Sequence, residues 1–360
     1  MKKQFINALA ITTLSAFLWS CNQKDPAPKG DYVSGVFVIN EGNFSQNNGS
    51  LSFFTREQKE ANNDIFLTES GSPLKGSVSG FATAGDVSIA LVDNSAAGLD
   101  KAEIVNSNTF EKIATIGAPD IENPRDVVII SSSKAYVSCW GVTGTYPDFF
   151  INPGYIAVVD LTTNKVTKKI PAPKGVENMT FTNGKLFAGT VDYSGSNILT
   201  VVNTATDEVA KEVVFNVSPN PFGVDANGKV WINAGLEAIR IAADSYAVEA
   251  TLPVGSDASK TANYFTFDAE KKTIFFGLSS DFGTSGQTFK FAITDSQINL
   301  TTPFIKRYFA GLAADPMQGL LYAAVSPSFA QSGYAVRYRT DGNVIDSVKV
   351  GIGPTGFVFK

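Results

Sequence analysis

Short apolar or alternating runs recur along this sequence, each separated from the next by turn residues. The clearest copy spans residues 123–171, with runs at 126–130, 135–139, 155–159 and 166–170. Four such runs in succession predict one four-stranded antiparallel sheet. A single sheet of this kind cannot bury both of its faces, so the rest of the chain is expected to repeat it.

The second and third runs of this unit do recur, at a spacing of about 40–50 residues, which is typical of a propeller. Copies of the second run lie at 35–39, 87–91, 135–139, 185–189, 229–233, 273–277 and 320–324. Copies of the third run lie at 49–53, 101–105, 155–159, 197–201, 237–241, 288–292 and 334–338. The pattern predicts an all-β fold, a seven-bladed β-propeller with four-stranded antiparallel blades.

The two ends of the chain are predicted to complete one blade together. The first copy begins at its second strand, and the chain ends on Gly-Pro-Thr-Gly-Phe-Val-Phe at 353–359. This ending matches the Asn-Pro openings of the innermost strands at Asn123 and Asn220. We therefore expect the C-terminal strand to close the ring and to remove its free edges.

Residues 1–20 predict a bacterial lipoprotein signal peptide. Lys2 and Lys3 precede an apolar stretch at 5–18 that is too short for a permanent membrane span, and Leu-Trp-Ser-Cys closes it at Cys21. This ending resembles the lipobox, in which the Cys is lipidated; an ordinary secretory signal with an incidental Cys21 is the alternative. Residues 21–32 are then the lipidated Cys and a flexible tether, and 33–360 are the propeller domain.

The composition excludes several kinds of chemistry. The chain has no His, which removes Ser-His-Asp triads, His-ligated metals and His acid–base catalysis. A formal charge of −5 without a basic stripe argues against nucleic-acid binding. Cys139 is interpreted as a small buried residue in a strand, with a catalytic thiol as the alternative.

Carboxylates gathered near a propeller axis could still hold Ca²⁺. The candidates are Asp86, Asp93, Asp126, Asp192, Asp225 and Asp281. Most of them lie at strand ends or beside Gly or Asn, where Asp stabilises turns, and no EF-hand spacing is present. We therefore predict no metal, no cofactor and no catalytic residue.

The connections between second and third strands carry the candidate binding residues. They are expected to open on one face of the ring and are rich in Gly, Ser and Asn. The aromatic candidates are Phe44, Trp140, Tyr146, Phe149, Tyr193, Phe282 and Phe329, and the amide candidates are Asn43, Asn94, Gln287 and Gln331. Flat rings interleaved with amides suit a large ligand with polar edges. Alternatively, the rings fold down to plug the axis or to cap neighbouring blades.

Several of these segments also carry a family resemblance. They are Val36-Phe-Val-Ile-Asn-Glu-Gly-Asn-Phe44, 49–54, 135–138 and 156–166. The chain resembles the YncE-like (YVTN-type) seven-bladed propeller lipoproteins of Bacteroidota over nearly its whole mature length. Within that group, the Asn-Glu-Gly-Asn opening is similar to that of surface proteins that capture vitamin B12 and hand it to a TonB-dependent outer-membrane transporter.

The resemblance implies a non-catalytic protein that is held at the outer membrane by its lipid alone and is exposed at the cell surface. Cobalamin or another corrinoid is then its bound ligand, not a cofactor, and the transporter is its partner. Two other functions stay open on the residues themselves. One is a scaffold whose aromatic residues contact a partner protein, and the other is a metal-dependent lyase or hydrolase that uses axial carboxylates.

Overall fold

The computed structural model describes residues 30–145, 148–280 and 285–360, which form seven antiparallel sheets around a central axis. This confirms the predicted seven-bladed β-propeller. Sequential strands pair with each other in every blade, and the strand nearest the axis comes first in blades 2 to 7. The predicted second and third strands all lie within one or two residues of the observed ones.

The strands follow one another in chain order. Blade 1 contains β1 (Val36–Asn40) and β2 (Ser50–Phe54), and blade 2 contains β3 (Ser77–Ala84), β4 (Val87–Asp93), β5 (Lys101–Asn106) and β6 (Lys112–Gly117). Blade 3 contains β7 (Pro124–Ser131), β8 (Lys134–Cys139), β9 (Gly154–Asp160) and β10 (Lys165–Ala172). Blade 4 contains β11 (Val176–Thr182), β12 (Lys185–Thr190), β13 (Ile198–Asn203) and β14 (Glu208–Val214). Blade 5 contains β15 (Pro219–Val224), β16 (Val230–Ala234), β17 (Glu237–Ile241) and β18 (Val248–Pro253). Blade 6 contains β19 (Thr261–Phe267), β20 (Thr273–Ser279) and β21 (Gly286–Ala292), and blade 7 contains β22 (Gly311–Ala314), β23 (Leu321–Val325), β24 (Ser332–Tyr338) and β25 (Val344–Ile352).

The last strand, β26 (Pro354–Phe359), returns to blade 1 and becomes its innermost strand. It pairs antiparallel with β1, with Phe357 opposite Val38. Backbone hydrogen bonds of 3.0 Å in both directions between Gly35 and Lys360 extend the pairing. The ring is therefore closed by the C-terminal strand, as the sequence predicts.

Blades 1 and 6 reduce their outermost strand to a single bridge, whereas the other five sheets have four strands each. In blade 1, Phe53 and Asn62 exchange two backbone hydrogen bonds of 2.9 and 2.8 Å. In blade 6, Thr288 and Ile305 pair in the same way. Every blade thus keeps the four-segment plan, although two outer segments are too irregular to count as strands.

Helices are short in the part of the chain that the structure describes. The only α-helix there is α1 (Ile65–Ser70), which follows the outer bridge of blade 1 and buries Ile65 and Phe66 against the core. Two 3₁₀ turns lie at Phe44–Gln46 and Asp192–Ser194. None of these helices has the length and apolar character that crossing a membrane requires.

The core consists of apolar clusters that lie one at each boundary between neighbouring blades. Successive side chains of a strand point to opposite boundaries. In β8, Ala135 and Val137 pack against blade 2, whereas Tyr136 packs against blade 4. Because both faces of a blade are buried, the second strands are almost continuously apolar.

The folded domain begins before β1. Tyr32, which the sequence assigns to the flexible tether, is 2% exposed and lies in the cluster between blades 1 and 2. Its hydroxyl donates a 2.7 Å hydrogen bond to Glu69, and its backbone N–H donates to the carbonyl of Asn108. At Tyr32 the tether assignment is therefore wrong, because this ring has a place in the core. Cys21 and the signal peptide lie outside the described residues.

Candidate functional site

All connections between second and third strands lie on one face of the ring, which we call the loop face. The reason is that neighbouring strands of a blade run in opposite directions. The segments that lead into the innermost strands reach the same face. It therefore combines residues from every blade around the mouth of the axis.

The predicted aromatic residues differ in exposure on the loop face. Phe44, Tyr193 and Phe329 are 49%, 64% and 59% exposed. Phe149 is half-buried, and Trp140 is buried at 5% exposure. Trp140 is therefore packed into the protein, whereas Phe44, Tyr193 and Phe329 are exposed to solvent. Tyr146 and Phe282 lie outside the described residues.

Trp140 is the centre of an aromatic cluster that joins the loops of blades 3 and 4. Its ring contacts Phe149, Phe150 and Tyr193 edge-on at centroid distances of 5.6, 5.0 and 6.3 Å. Phe150 also stacks on Tyr193 at 5.7 Å. Such contacts hold the rings in fixed positions. Phe150 is missing from the predicted set, although its position next to Phe149 in the same loop could have suggested it.

Two of the four predicted amides are engaged in folding their own loops. Asn43 Oδ1 accepts hydrogen bonds from the N–H and Oγ of Ser45 at 3.1 and 2.8 Å. Asn94 donates to the carbonyl of Lys75 at 2.5 Å and accepts from the N–H of Ala96 at 2.8 Å. Gln287 and Gln331 are exposed. Asn43 and Asn94 therefore have limited hydrogen-bonding capacity for a ligand.

Other asparagines lie closer to the axis and were not in the predicted set. A cavity of about 290 Å³ is lined by Asn178, Asn220, Asn233 and Asn263 together with three aromatic side chains. The Oδ1 atoms of Asn220 and Asn233 are buried without a hydrogen-bond partner among the described residues. We call these four residues the axial asparagines. For Asn220, the Asn-Pro pattern at the start of β15 is the sequence signal that could have identified it as an axial residue.

A half-buried arginine lies between blades 2, 3 and 4, at the axial start of β7. Arg125 Nη1 is 3.2 Å from Asp93 Oδ2, and Arg125 Nε is 3.3 Å from Glu177 Oε1. The guanidinium also stacks over Trp140, with 4.1 Å between its central carbon and the ring centroid. These residues come from three blades, so no sequence spacing could have revealed the cluster.

Burial shifts the carboxyl groups around Arg125 towards their neutral form. It raises the pKa of Asp93 to about 7, although Arg125 acts in the opposite direction. Burial also raises the pKa of Glu41 and of Glu177, again against the effect of Arg125. The pKa of Asp126, the residue after Arg125, is raised to about 7 for the same reason. Desolvation of the charged form is the common cause.

A cavity of about 400 Å³ opens beside this cluster, between the loops of blades 1, 2 and 3. Aromatic side chains of Phe44, Trp140 and Phe149 form part of its wall. Its charged lining residues are Glu41, Asp93, Asp100, Glu122 and Arg125. We call it the acidic pocket, because four carboxyl groups face one guanidinium group.

A second cavity on the loop face has the opposite charge. It measures about 590 Å³ and lies between blades 6 and 7, with Lys306, Arg307, Tyr264, Tyr308 and Phe329 in its wall. Its described lining contains no acidic side chain. We call it the basic pocket. The loop face is thus acidic on one side of the axis and basic on the other.

The aspartates considered for Ca²⁺ are separated in the structure. Asp225, for example, accepts a 2.9 Å hydrogen bond from Trp231 Nε1 and supports a turn. Within residues 30–145, 148–280 and 285–360, no three or more acidic, Cys or His side chains are grouped so that they could hold a metal ion. Asp281 lies outside these ranges.

Cys139 is buried in β8, as expected. Burial raises the pKa of its thiol to about 12. The thiolate is the nucleophilic form, so a thiol with so high a pKa is unreactive at neutral pH. This favours the interpretation of Cys139 as a packing residue.

A ring of seven blades with pockets and aromatic rings on one face defines a β-propeller, a fold that supports a scaffold or binding role. The chain belongs to the family described as "Domain of unknown function (DUF5074)", whose pattern matches residues 34–348. No curated protein matches the sequence.

Several solved structures with a similar fold come from Bacteroides. A quinonprotein alcohol dehydrogenase-like protein of Bacteroides thetaiotaomicron is similar over 91% of this chain and 78% of its own, with 17% identity and a TM-score of 0.66. A presumed 6-phosphogluconolactonase of Bacteroides fragilis is similar over 93% of this chain and 100% of its own, with 11% identity and a TM-score of 0.61. At such low identity these likenesses show the propeller fold alone.

Proposed function

We propose that this protein is a non-catalytic lipoprotein of the outer membrane that captures cobalamin or another corrinoid on its loop face. It would then deliver the ligand to a TonB-dependent transporter. The observation that carries the proposal is the set of exposed rings, Phe44, Tyr193 and Phe329, spaced around one mouth of a closed ring. A rigid scaffold that presents aromatic surface loses little conformational entropy on binding.

The chemistry of a corrinoid suits the polar groups near these rings. A corrin carries neutral amides on its rim, and amides both donate and accept hydrogen bonds. The axial asparagines offer two unpaired carbonyl oxygens, and Gln287 and Gln331 are exposed on the loop face. Because the chain has no His to coordinate cobalt, recognition would fall on the rim of the macrocycle.

Titration calorimetry with cyanocobalamin tests the proposal. Replacing Phe44, Tyr193 or Phe329 with Ala should weaken binding, by about 2 kcal/mol for a ring that the ligand buries. Added salt should have little effect, because few charges take part. Met317→Ala is the matched control, because Met317 is 71% exposed but lies in the turn between β22 and β23, on the opposite face.

The same titration separates the alternatives. Absence of heat and of a thermal shift with any corrinoid would contradict the proposal and favour a protein scaffold. Recovery of a chemically altered ligand would instead indicate an enzyme. The scaffold has some support of its own, since Leu99, Val142 and Ile151 are exposed apolar residues in the second-to-third-strand loops of blades 2 and 3. Apolar side chains exposed together are typical of protein contacts.

The proposed anchor is tested separately at Cys21. A Cys21→Ser protein should appear in the soluble fraction, because lipid chains supply roughly 0.8 kcal/mol of membrane affinity for each buried CH₂ group. Fractionation of cells that express either form would measure this. A Cys21→Ser protein that stays with the membrane would show that the attachment does not depend on a lipid at this residue.

A further inference from the structure

The acidic pocket contains a buried carboxylate oxygen that has no partner. Asp93 is 6% exposed, and its Oδ2 is paired with Arg125 at 3.2 Å. Its Oδ1 has no hydrogen-bond partner among the described residues. Leaving a buried acceptor unpaired is costly, and most such groups in proteins are satisfied. Asp93 is one of the residues that line the pocket, so its carboxylate lies at the wall of this cavity.

The charges around Asp93 leave a negative excess. The charged groups that act on it are Glu41, Asp100 and Glu177, each from a different blade, and the cation Arg125; Glu122 lines the same pocket. Asp93, the three carboxyl groups that act on it and one guanidinium carry a formal charge of −3 when all are ionised. Asp100 is satisfied, because its two oxygens accept the N–H groups of Asn94 and Asn123 at 2.8 and 2.9 Å. The unmatched charge therefore lies at Asp93 and Glu41, where it attracts a cation.

The wall of the pocket suits a cation that carries a hydrocarbon chain. Phe44 and Phe149 provide apolar surface next to the carboxylates. Trp140 already holds the guanidinium of Arg125 against its ring at 4.1 Å, so cations are stabilised here by an aromatic face as well as by acids. An organic cation fits better than a metal ion, since the described residues do not group three or more ligating side chains for a metal.

We propose that the acidic pocket is a binding subsite for the primary ammonium group of a small organic ligand, with Asp93 Oδ1 as the hydrogen-bond acceptor. The assignment goes beyond the proposed corrinoid function and does not depend on it. The ammonium group supplies the missing N–H donor and part of the missing positive charge. Its alkyl chain would lie along Phe44 and Phe149.

Binding at this subsite should depend on pH. Burial raises the pKa of Asp93 to about 7, Arg125 lowers it, and Asp100, Glu41 and Glu177 raise it further. Below pH 7 the carboxyl is protonated and no longer attracts a cation, whereas an alkylammonium stays charged throughout this range. Affinity should therefore rise between pH 6 and pH 8 and then level off.

Saturation-transfer NMR on the full-length protein tests the assignment, with n-butylammonium chloride as the probe and 1-butanol as its neutral counterpart. At pH 8 we expect the ammonium to bind roughly tenfold more tightly than the alcohol, which is the usual size of one charge-assisted hydrogen bond. Asp93→Asn should weaken ammonium binding by roughly tenfold and abolish the rise with pH.

Glu177→Gln is the matched control. Like Asp93→Asn, it removes one carboxylate that pairs with Arg125; the distance from Arg125 Nε to Glu177 Oε1 is 3.3 Å. Glu177, however, does not line the pocket. This variant should keep most of the ammonium affinity, and its rise with pH should move to lower pH because Glu177 raises the pKa of Asp93. Thermal unfolding should show that both variants are folded. Equal binding of alcohol and ammonium, or equal losses in the two variants, would overturn the assignment. A cyanocobalamin titration of the same samples reports independently on the proposed function.

Discussion

Asp93 and Asp315 are both buried aspartates beside an arginine, but only Asp315 is fully hydrogen-bonded. Both oxygens of Asp315 accept from Arg56, at 2.6 and 3.1 Å, and the N–H of Met317 adds a bond of 2.9 Å. Asp93 keeps one oxygen unpaired and has a raised pKa. Asp315 contributes to stability, whereas Asp93 reduces it at neutral pH. A destabilising group of this kind is expected at a functional site.

This difference predicts how Asp93 affects stability as pH changes. The folded protein binds the Asp93 proton more tightly than the unfolded chain does. The stabilising contribution of this proton is therefore complete below the ordinary Asp pKa and is lost as pH rises to about 7. The loss is at most about 1.4 kcal/mol per pH unit over that window.

Asp93→Asn should remove this dependence, so its stability relative to the natural protein should be greater at pH 8 than at pH 5. Urea unfolding at the two pH values measures the free energies. An equal stability difference between the variant and the natural protein at both pH values would contradict this expectation. The expected result is that Asp93→Asn gains stability relative to the natural protein between pH 5 and pH 8, while it binds the ammonium probe less tightly.

At the scale of strands and turns, a repeated hydrogen bond joins neighbouring blades on the face opposite the loop face, and we call it the latch. A cationic side chain of one blade donates to a backbone carbonyl one or two residues after the third strand of the next blade. Six of the seven boundaries have it among the described residues: Lys360 to Ser107, Lys134 to Thr204, Lys185 to Ala243, Arg240 to Ile293, Lys290 to Thr340 and Arg337 to Arg56. At the boundary between blades 2 and 3, the buried Leu161 contributes to an apolar cluster there.

The latch at Lys134 should contribute measurably to stability. Lys134 Nζ is 3.0 Å from the carbonyl of Thr204 and also binds both oxygens of Asp207, at 2.9 and 2.8 Å. Lys134→Met keeps the length of the chain but leaves these acceptors without their cation. We expect a loss of about 1–3 kcal/mol in the free energy of unfolding, measured with urea.

Lys290→Met provides the comparison, because Lys290 is exposed and its bond to Thr340 is long, at 3.4 Å. Its effect should be no more than about 0.5 kcal/mol. Similar losses in both variants would show that burial of the latch does not determine its strength.

At the scale of the whole molecule, the ring depends on a contact between the two ends of the chain. β26 supplies the innermost strand of blade 1, and Phe357 packs on Tyr322 of blade 7 at a centroid distance of 5.7 Å. The buried pair of Arg56 and Asp315 joins the same two blades. Closure therefore combines backbone pairing, apolar packing and an ion pair.

Deleting residues 353–360 should open the ring. β1 would become a free edge, and the protein should aggregate and lose its cooperative thermal transition. Phe357→Ala is the matched variant, since it keeps the backbone pairing of β26 and removes only one ring. It should stay monomeric, with a lower melting temperature. Size-exclusion chromatography and thermal unfolding would compare the two, and a deleted protein that melts like the natural one would exclude this account of closure.

The sequence by itself determined the propeller. Turn residues and apolar runs are local signals, and their repetition along the chain was enough to count the blades, to place the second and third strands and to assign 353–359 to blade 1. The same local signals predicted that Phe44, Tyr193 and Phe329 lie in loops on one face, and in the structure these rings are exposed. The loop sequences did not reveal that Asn43 and Asn94 use their amides to fold their own turns.

The charges of the site were decided only by the tertiary structure. Arg125 is 32 residues from Asp93 and 52 residues from Glu177 in sequence, and the three meet because three blades bring their axial ends together. Burial, which raises the pKa of Asp93, is likewise a property of the packed ring and not of any segment. Strand order follows from local sequence pattern, whereas the environment of a charge depends on every chain segment around it. For this reason the sequence predicted which loops surround the mouth of the axis, but the charges there became clear only from the folded structure.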